Sequence, residues 1–267
     1  VGGSFFVGLF SELETAMTDS ENGQSAVAPT VLLYQTDSYV REFDAHVVAV
    51  EGSAIALDQT AFFPGGGGQM ADRGTLMVAG QSYPITALRK SGDVVWHELD
   101  LGGHEAPAVG AEVHGALDWA FRYQMMRTHT ALHSLTAVIF RDYGAQVTGG
   151  QMYPDHARMD FALEGFKAEM APEIERRVNE ELTKDYPVRV RFLPRDEAFA
   201  IPDLIRTKVN LLPPGIETIR IVEIIGLDLQ ADGGTHVAHT GEVGAIRILK
   251  TENKGKINKR MEIALAE

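Results

Sequence analysis

From Val31 to about Asp118 the hydrophobic positions come in short runs broken by turn residues. The run Phe43-Asp44-Ala45-His46-Val47-Val48-Ala49-Val50 ends at Glu51-Gly52-Ser53, and Ala54-Ile55-Ala56-Leu57 follows, which predicts a hairpin. Further runs lie at 74–78, 81–88, 94–99 and 112–117, separated by Ala79-Gly80, Ser91-Gly92-Asp93 and Gly102-Gly103. Short, evenly spaced strands with almost no helical period predict a small β-barrel. The pattern changes at Trp119. Residues 120–143 carry Leu132, Leu135, Val138 and Ile139 on one helical stripe, with Gly144 as the expected stop. A strand is predicted at 157–163, a helix at 173–184 behind Pro172, and an alternating strand at 188–192. A short helix within 198–208, a strand at 218–225 and a terminal hairpin of 245–250 and 260–265 complete the pattern. Helices mixed with hairpin-linked strands predict an α+β fold: a small N-terminal β-barrel, then an α+β domain with an antiparallel sheet. The expected division is a polar, breaker-rich tail at 1–28, a barrel domain at 29–118 and a second domain at 119–267.

Composition narrows the chemistry. The 267 residues are 45% hydrophobic and 23% charged, as in an ordinary globular protein. There is no cysteine, which excludes disulfides, a thiol nucleophile and any thiolate metal site. No apolar run approaches the roughly 18 residues that span a bilayer. The apolar start has no basic residue before Arg41, so it does not read as a signal peptide, and a cytoplasmic protein is expected. The net charge of −13 argues against binding nucleic acid through bulk positive charge, so any such partner needs a local patch.

His129-Thr130-Ala131-Leu132-His133 places two imidazoles at i and i+4 of a helix, near enough to share a metal ion. With 9 histidines in 267 positions, chance supplies about 0.3 such pairs, so the pair alone also fits two helix-surface or half-buried histidines. About a hundred residues on, Asp232-Gly233-Gly234-Thr235-His236-Val237 follows an apolar strand, and its glycines allow a turn that presents Asp232 and His236 together. His129, His133, Asp232 and His236 would complete a first-row metal site. A glycine turn with a hydrogen-bonded histidine is the plainer alternative.

The pair His-Thr-Ala-Leu-His with Asp-Gly-Gly-Thr-His-Val resembles the editing domain of alanyl-tRNA synthetases and its free-standing relatives, the AlaX-type editing proteins. Three more segments resemble that family in order: the Phe62-Phe63-Pro64-Gly65-Gly66-Gly67-Gly68-Gln69 run with Asp72 and Gly74, Arg158-Met159-Asp160-Phe161, and Asn253-Lys254-Gly255-Lys256. The resemblance covers about 62–265. It implies a barrel followed by an editing (deacylase) domain, one bound Zn²⁺, and tRNA(Ala) carrying serine or glycine as the partner. One position departs: the family's usual cysteine is here Asp232. A carboxylate keeps the charge of the site but is a harder ligand with a shorter bond, roughly 2.0–2.2 Å to oxygen against about 2.3 Å to sulfur. The identity of the metal is therefore open.

Residues 65–68 lack the Gly-Lys-Ser/Thr of a phosphate loop. A tight barrel turn is one reading. The resemblance implies instead that Gly66, Gly67, Gly68 and Gln69 line the cleft and bind substrate through backbone N–H groups and an amide. Thr148 and Gln151 lie between the histidine helix and the Arg-x-Asp-Phe strand, either in a plain glycine turn or as readers of a serine hydroxyl. From Arg247 to Arg260 there are six basic residues and one acidic. Lys250, Lys254, Lys256, Lys259 and Arg260 are candidates for tRNA phosphate, or for the solvated edge of a hairpin. The activity expected is deacylation of Ser-tRNA(Ala), with Gly-tRNA(Ala) as a second substrate. The attacking group expected is a water on the metal, with no side-chain nucleophile and no ATP site. Two other classes fit the same residues: a metal-free tRNA-binding module, and a metal hydrolase of a small ester or amide.

Overall fold

The computed structural model describes residues 27–208, 212, 215–255 and 257–266. All but the last two residues of the expected tail fall outside that range. Strands β1 (Val31–Leu32) and β4 (Gln59–Thr60) are two residues each and pair in parallel. The predicted short strands become β2 (Glu42–Glu51), β3 (Ala54–Leu57), β5 (Gly74–Val78), β6 (Gln81–Ser91), β7 (Val94–Leu99) and β8 (Glu112–Leu117). They close into an antiparallel barrel in the order β2-β3-β7-β6-β5-β8. Along β2, Phe43, Ala45 and Val47 are buried while Glu42, Asp44 and His46 are exposed. That two-residue period puts one face into a core with Ile55, Leu57, Phe62 and Leu76.

Helix α1 (Trp119–Tyr143) starts where the Asp118 carboxylate accepts from the Phe121 amide at 3.1 Å. It stops at Gly144, whose φ of 65° suits glycine. A single apolar stripe was the expectation, but every residue of 128–139 is buried. The helix is central. Strands β9 (Val147–Met152) and β10 (Ala157–Ala162), and helix α2 (Ala171–Leu182), follow it. Strand β11 (Val188–Pro194), helix α3 (Arg195–Phe199), and strands β12 (Thr218–Ile224) and β13 (Asp228–Ala231) come next. Strands β14 (Ile246–Asn253) and β15 (Asn258–Leu265) form the terminal hairpin. One antiparallel sheet runs β14-β15-β10-β9 and another runs β11-β12-β13. Antiparallel sheets with few helices make the fold α+β.

Two local expectations are corrected. Residues 147–151 are a strand rather than a glycine turn, with Gly149 and Gly150 opposite Asp160 and Met159. The helix expected within 198–208 is displaced to Arg195–Phe199. Pro202 disfavours helix at the residue before it, and 206–208 instead join the edge of β9. There Val147 N donates to Arg206 O at 2.9 Å and Lys208 N donates to Val147 O at 2.8 Å.

The barrel and α1 are joined by a buried ion pair. The Arg122 Nε lies 3.0 and 3.1 Å from the two Asp72 oxygens, and both side chains are fully buried. Arg122 also donates to the carbonyls of Ser38 and Ala61, so its charge is hydrogen-bonded on several sides. Asp72 closes the glycine loop by accepting from the Phe63 amide. This pair fixes the loop against the helix that carries His129.

Candidate metal centre and cleft

The four ligands expected from sequence converge. His129 and His133 lie one turn apart on α1, and β13 runs into the loop that brings Asp232 and His236 over them. One ligand atom from each residue lies within 4.8 Å of all the others, an arrangement that could hold a metal ion. Asp232 is the hub. Its Oδ1 lies 3.5 Å from His129 Nε2 and 4.0 Å from His133 Nε2, and its Oδ2 lies 3.1 Å from His236 Nε2. The loop is shaped by its own residues: Gly234 N donates to Asp232 Oδ2 at 2.7 Å, and Arg220 Nη1 donates to the Asp232 carbonyl at 2.8 Å. A Cβ on Gly234 would fall 2.4 Å from His129 Cε1 and 2.6 Å from Gln69 Oε1, so only glycine fits.

The outer nitrogens of the rings are held by neighbours. His129 Nδ1 donates to Gln69 Oε1 at 3.0 Å, and His133 Nδ1 donates to Asp228 Oδ2 at 3.1 Å. His236 Nδ1 lies 3.1 Å from Thr130 Oγ1. The Gln69 orientation is fixed because its Nε2 donates to Thr235 Oγ1 while its Oε1 also accepts from Thr235 N. For His129 and His133, acceptors at Nδ1 leave the Nε2 lone pairs facing the carboxylate. Such outer hydrogen bonds orient ligands and set their tautomer at metal sites. Three imidazoles and one carboxylate form an N₃O donor set that fits Zn²⁺ and other first-row divalent ions.

Electrostatics follow from the same contacts. Burial pushes the His129 imidazolium well below its usual range, more than the nearby Asp232 charge raises it. Burial likewise lowers His236, to about 4. Burial acts to lower His133 too, but the hydrogen bond to Asp228 and the charges of Asp232 and Asp228 raise it overall. Burial would raise Asp232, yet the three imidazoles hold it well below the usual carboxylate range. The cluster thus favours neutral His129 and His236 beside an ionised carboxylate, as metal ligation needs, while His133 would give up a proton on binding an ion.

Beside the cluster opens a cleft of about 840 Å³. Gly67, Gly68, Thr148 and Gln151 line it, together with His129, His133 and Asp232. Residues 65–68 all have positive φ, and Gly68 is packed so closely that a Cβ would lie 2.7 Å from Gly150 O. The Gly68 carbonyl accepts from Met152 N, docking the loop on β9. The amides of Gly67 and Gly68 have no protein acceptor among the described residues. Gly66 is elsewhere: its N–H and C=O are both bonded to Gln69. Gln69 was expected to contact substrate. It is buried, and its amide is occupied by His129 and Thr235, which makes it a support of the histidine cluster instead. Sequence reasoning also missed Asp228, whose partner His133 is 95 residues away.

The basic hairpin is less available than its composition suggested. Lys250 and Lys254 both pair with Glu252, and Arg260 makes two bonds to Asp160 at 2.7 and 2.8 Å. Lys259, a candidate for tRNA phosphate, is largely buried, with Nζ 3.3 Å from Gly255 O. Lys256 lies outside the described residues.

Residues 219–262 match the family described as threonyl and alanyl tRNA synthetase second additional domain, and 11–121 match tRNA synthetases class II (A). The chain is 43% identical over 232 residues to an alanyl-tRNA editing protein AlaX-M of Saccharolobus solfataricus, covering 86% of this chain and 96% of that one. An AlaX-M of Methanosarcina mazei is 38% identical over 244 residues, 89% of this chain and 97% of that protein. An alanine–tRNA ligase of Thermococcus kodakarensis is 39% identical over 226 residues, which are 84% of this chain but 24% of the ligase.

Proposed function

The chain belongs to the AlaX-M family of alanyl-tRNA editing proteins, and on that premise we propose that it is a metal-dependent, trans-acting deacylase of Ser-tRNA(Ala), with Gly-tRNA(Ala) as a second substrate. The observation that carries this reading is the convergence of His129, His133, Asp232 and His236 beside a cleft large enough for an acylated nucleoside. Those four residues would hold one ion, Zn²⁺ in this reading, which would supply Lewis acidity toward the ester and its attacking water. The remaining roles fall to the chain. The free amides of Gly67 and Gly68 offer hydrogen bonds to the acyl carbonyl or the ribose. Thr148 and Gln151, which line the cleft on β9, would read a serine hydroxyl in this reading; alanine would leave such a group unpaired, which favours the hydroxylated substrate. Gln69, Asp228 and Thr130 orient the rings. No helix among the described residues is long and apolar enough to cross a membrane, and the reading places the activity in the cytoplasm, among circulating aminoacyl-tRNAs.

Deacylation of Ser-, Gly- and Ala-tRNA(Ala) by the purified protein, with and without a chelator, tests the proposal. Serine release that the chelator abolishes, with Ala-tRNA(Ala) spared, is the expected result. Intact Ser-tRNA(Ala) contradicts it. Uncharged tRNA should compete, whereas a hydrolase of small esters would ignore it.

A further inference from the structure

The hairpin cations that composition singled out are largely neutralised by neighbouring carboxylates, yet the cleft wall carries Lys208, which has no ion pair among the described residues, and Arg206, whose pairing with Asp228 is a loose 3.9 Å. Arg206 and Lys208 lie on the short segment that joins the edge of β9, and both line the cleft that reaches His133 and Asp232. Neither belongs to any segment singled out for chemistry in the sequence. Their backbone is held in place, because the Arg206 carbonyl and the Lys208 amide bond the two sides of Val147. Two residues apart in an extended segment, they share a face.

Each cation has unused capacity. The Arg206 guanidinium lies over the Phe140 ring, with Cζ 3.9 Å from its centroid, which fixes its plane. Its Nε is buried without a hydrogen-bond partner. Its nearest carboxylate oxygen, Asp228 Oδ1, is 3.9 Å from Nη2 and is itself without a hydrogen bond. The other Asp228 oxygen is engaged by His133 and Gln230. Lys208 is exposed, and no carboxylate lies within ion-pair distance of it among the described residues. A planar guanidinium with hydrogen-bonding capacity to spare, two residues from an exposed ammonium on the same cleft wall, suits an oxyanion with several acceptor oxygens.

We infer that Arg206 and Lys208 form a phosphodiester subsite for the last nucleotide of the acylated strand. This rests on the deacylase reading, and deepens it. In an aminoacyl-tRNA the ester sits on the terminal ribose, and the nearest phosphate lies on the far side of that same sugar. Arg206 stands in a comparable relation to the cluster, one carboxylate beyond His133. An ester held at the cluster therefore directs its own 5′ phosphate along this wall. The subsite also answers the −13 charge: contact with one or two phosphates at the strand end needs no broad basic surface.

The test uses the full chain with Ser-tRNA(Ala), comparing wild type with Lys208→Gln, Arg206→Gln and the exposed, off-cleft Arg189→Gln. Either cleft substitution is expected to raise KM on the order of tenfold with kcat little changed, as for loss of a charged hydrogen bond. Between roughly 50 and 200 mM salt, the log–log salt slope of KM should become shallower by about 0.7 for each lost contact to a single strand. Arg189→Gln should change neither. Lys208 is exposed, so its variant tests the subsite even where Arg206→Gln disturbs packing. An unchanged KM and salt slope in Lys208→Gln overturns the inference, as does a loss confined to kcat. Binding of an uncharged acceptor-stem minihelix, followed by fluorescence anisotropy, separates the two claims. Weaker binding by the cleft variants while wild type leaves Ser-tRNA(Ala) intact would support the subsite and remove the deacylase reading. Deacylation with equal binding by all variants would do the reverse.

Discussion

Two regions of the molecule bury imidazole, and they differ in what each ring has left over. In the barrel, His97 is fully buried and both nitrogens have protein partners, Thr60 Oγ1 at 2.9 Å and Ile55 O at 3.3 Å. In the cleft, His129, His133 and His236 each have Nδ1 beside a neighbour and Nε2 turned to Asp232. The first ring is part of a packed core. The other three make a donor set because one nitrogen of each is left for a shared centre. Burial alone does not separate these cases, nor does the count of partners, since His236 also has one at each nitrogen; the convergence of three Nε2 atoms on one carboxylate does.

Breaking the donor set gives the largest expected effect. Asp232→Ala removes the residue that all three rings face. Deacylation of Ser-tRNA(Ala) should fall by about a thousandfold or more, because several kcal/mol of transition-state stabilisation would leave with the ion. Asp232→Cys, which restores a metal-binding side chain, should retain part of the activity. Next in size is the bond between the two regions. Asp72→Ala leaves the Arg122 charge buried and unpaired, and urea unfolding should show a loss of about 3–5 kcal/mol.

The barrel histidine predicts a pH effect of its own. Burial lowers His97 to about 4 from 6.5, against a small opposing hydrogen bond to Ile55. Its folded pKa lies below its unfolded one, so the unfolded chain takes up the proton first as pH falls. Stability is complete above pH 6.5, declines below it, and the cost is fully expressed near pH 4, at about 3 kcal/mol. His97→Gln should flatten this part of the acid limb in denaturation measured between those pH values. The smallest effect sharpens the comparison from the cleft side. Gln69→Leu keeps the four ligands but frees His129 Nδ1, and chelator competition should show metal affinity reduced by about 10–100-fold.

How far the chain could be read in advance follows the range of the interactions. The barrel strands and α1 carry local alternation, caps and turns, so their positions were predictable. His129 and His133 are a helical pair, and Asp232 and His236 share one short loop, so two local motifs were enough to nominate the cluster. Strand β9 was not readable, because Val-Thr-Gly-Gly-Gln has weak strand propensity and is held by β10 and by 206–208. The roles of Gln69 and Asp228 depend on partners 60 and 95 residues away. The hairpin misled for the same reason. Composition counts Arg260 as a free cation, whereas Asp160, 100 residues earlier, neutralises it.

The central claim is that the cleft histidines are ligands and the barrel histidine is not. Elemental analysis of protein purified without added metal tests it most directly, with wild type, Asp232→Ala and His97→Gln compared side by side. About one equivalent of a first-row metal is expected in wild type and in His97→Gln, and essentially none in Asp232→Ala. Metal-free wild-type protein that still deacylates Ser-tRNA(Ala) at full rate in chelator would contradict the account.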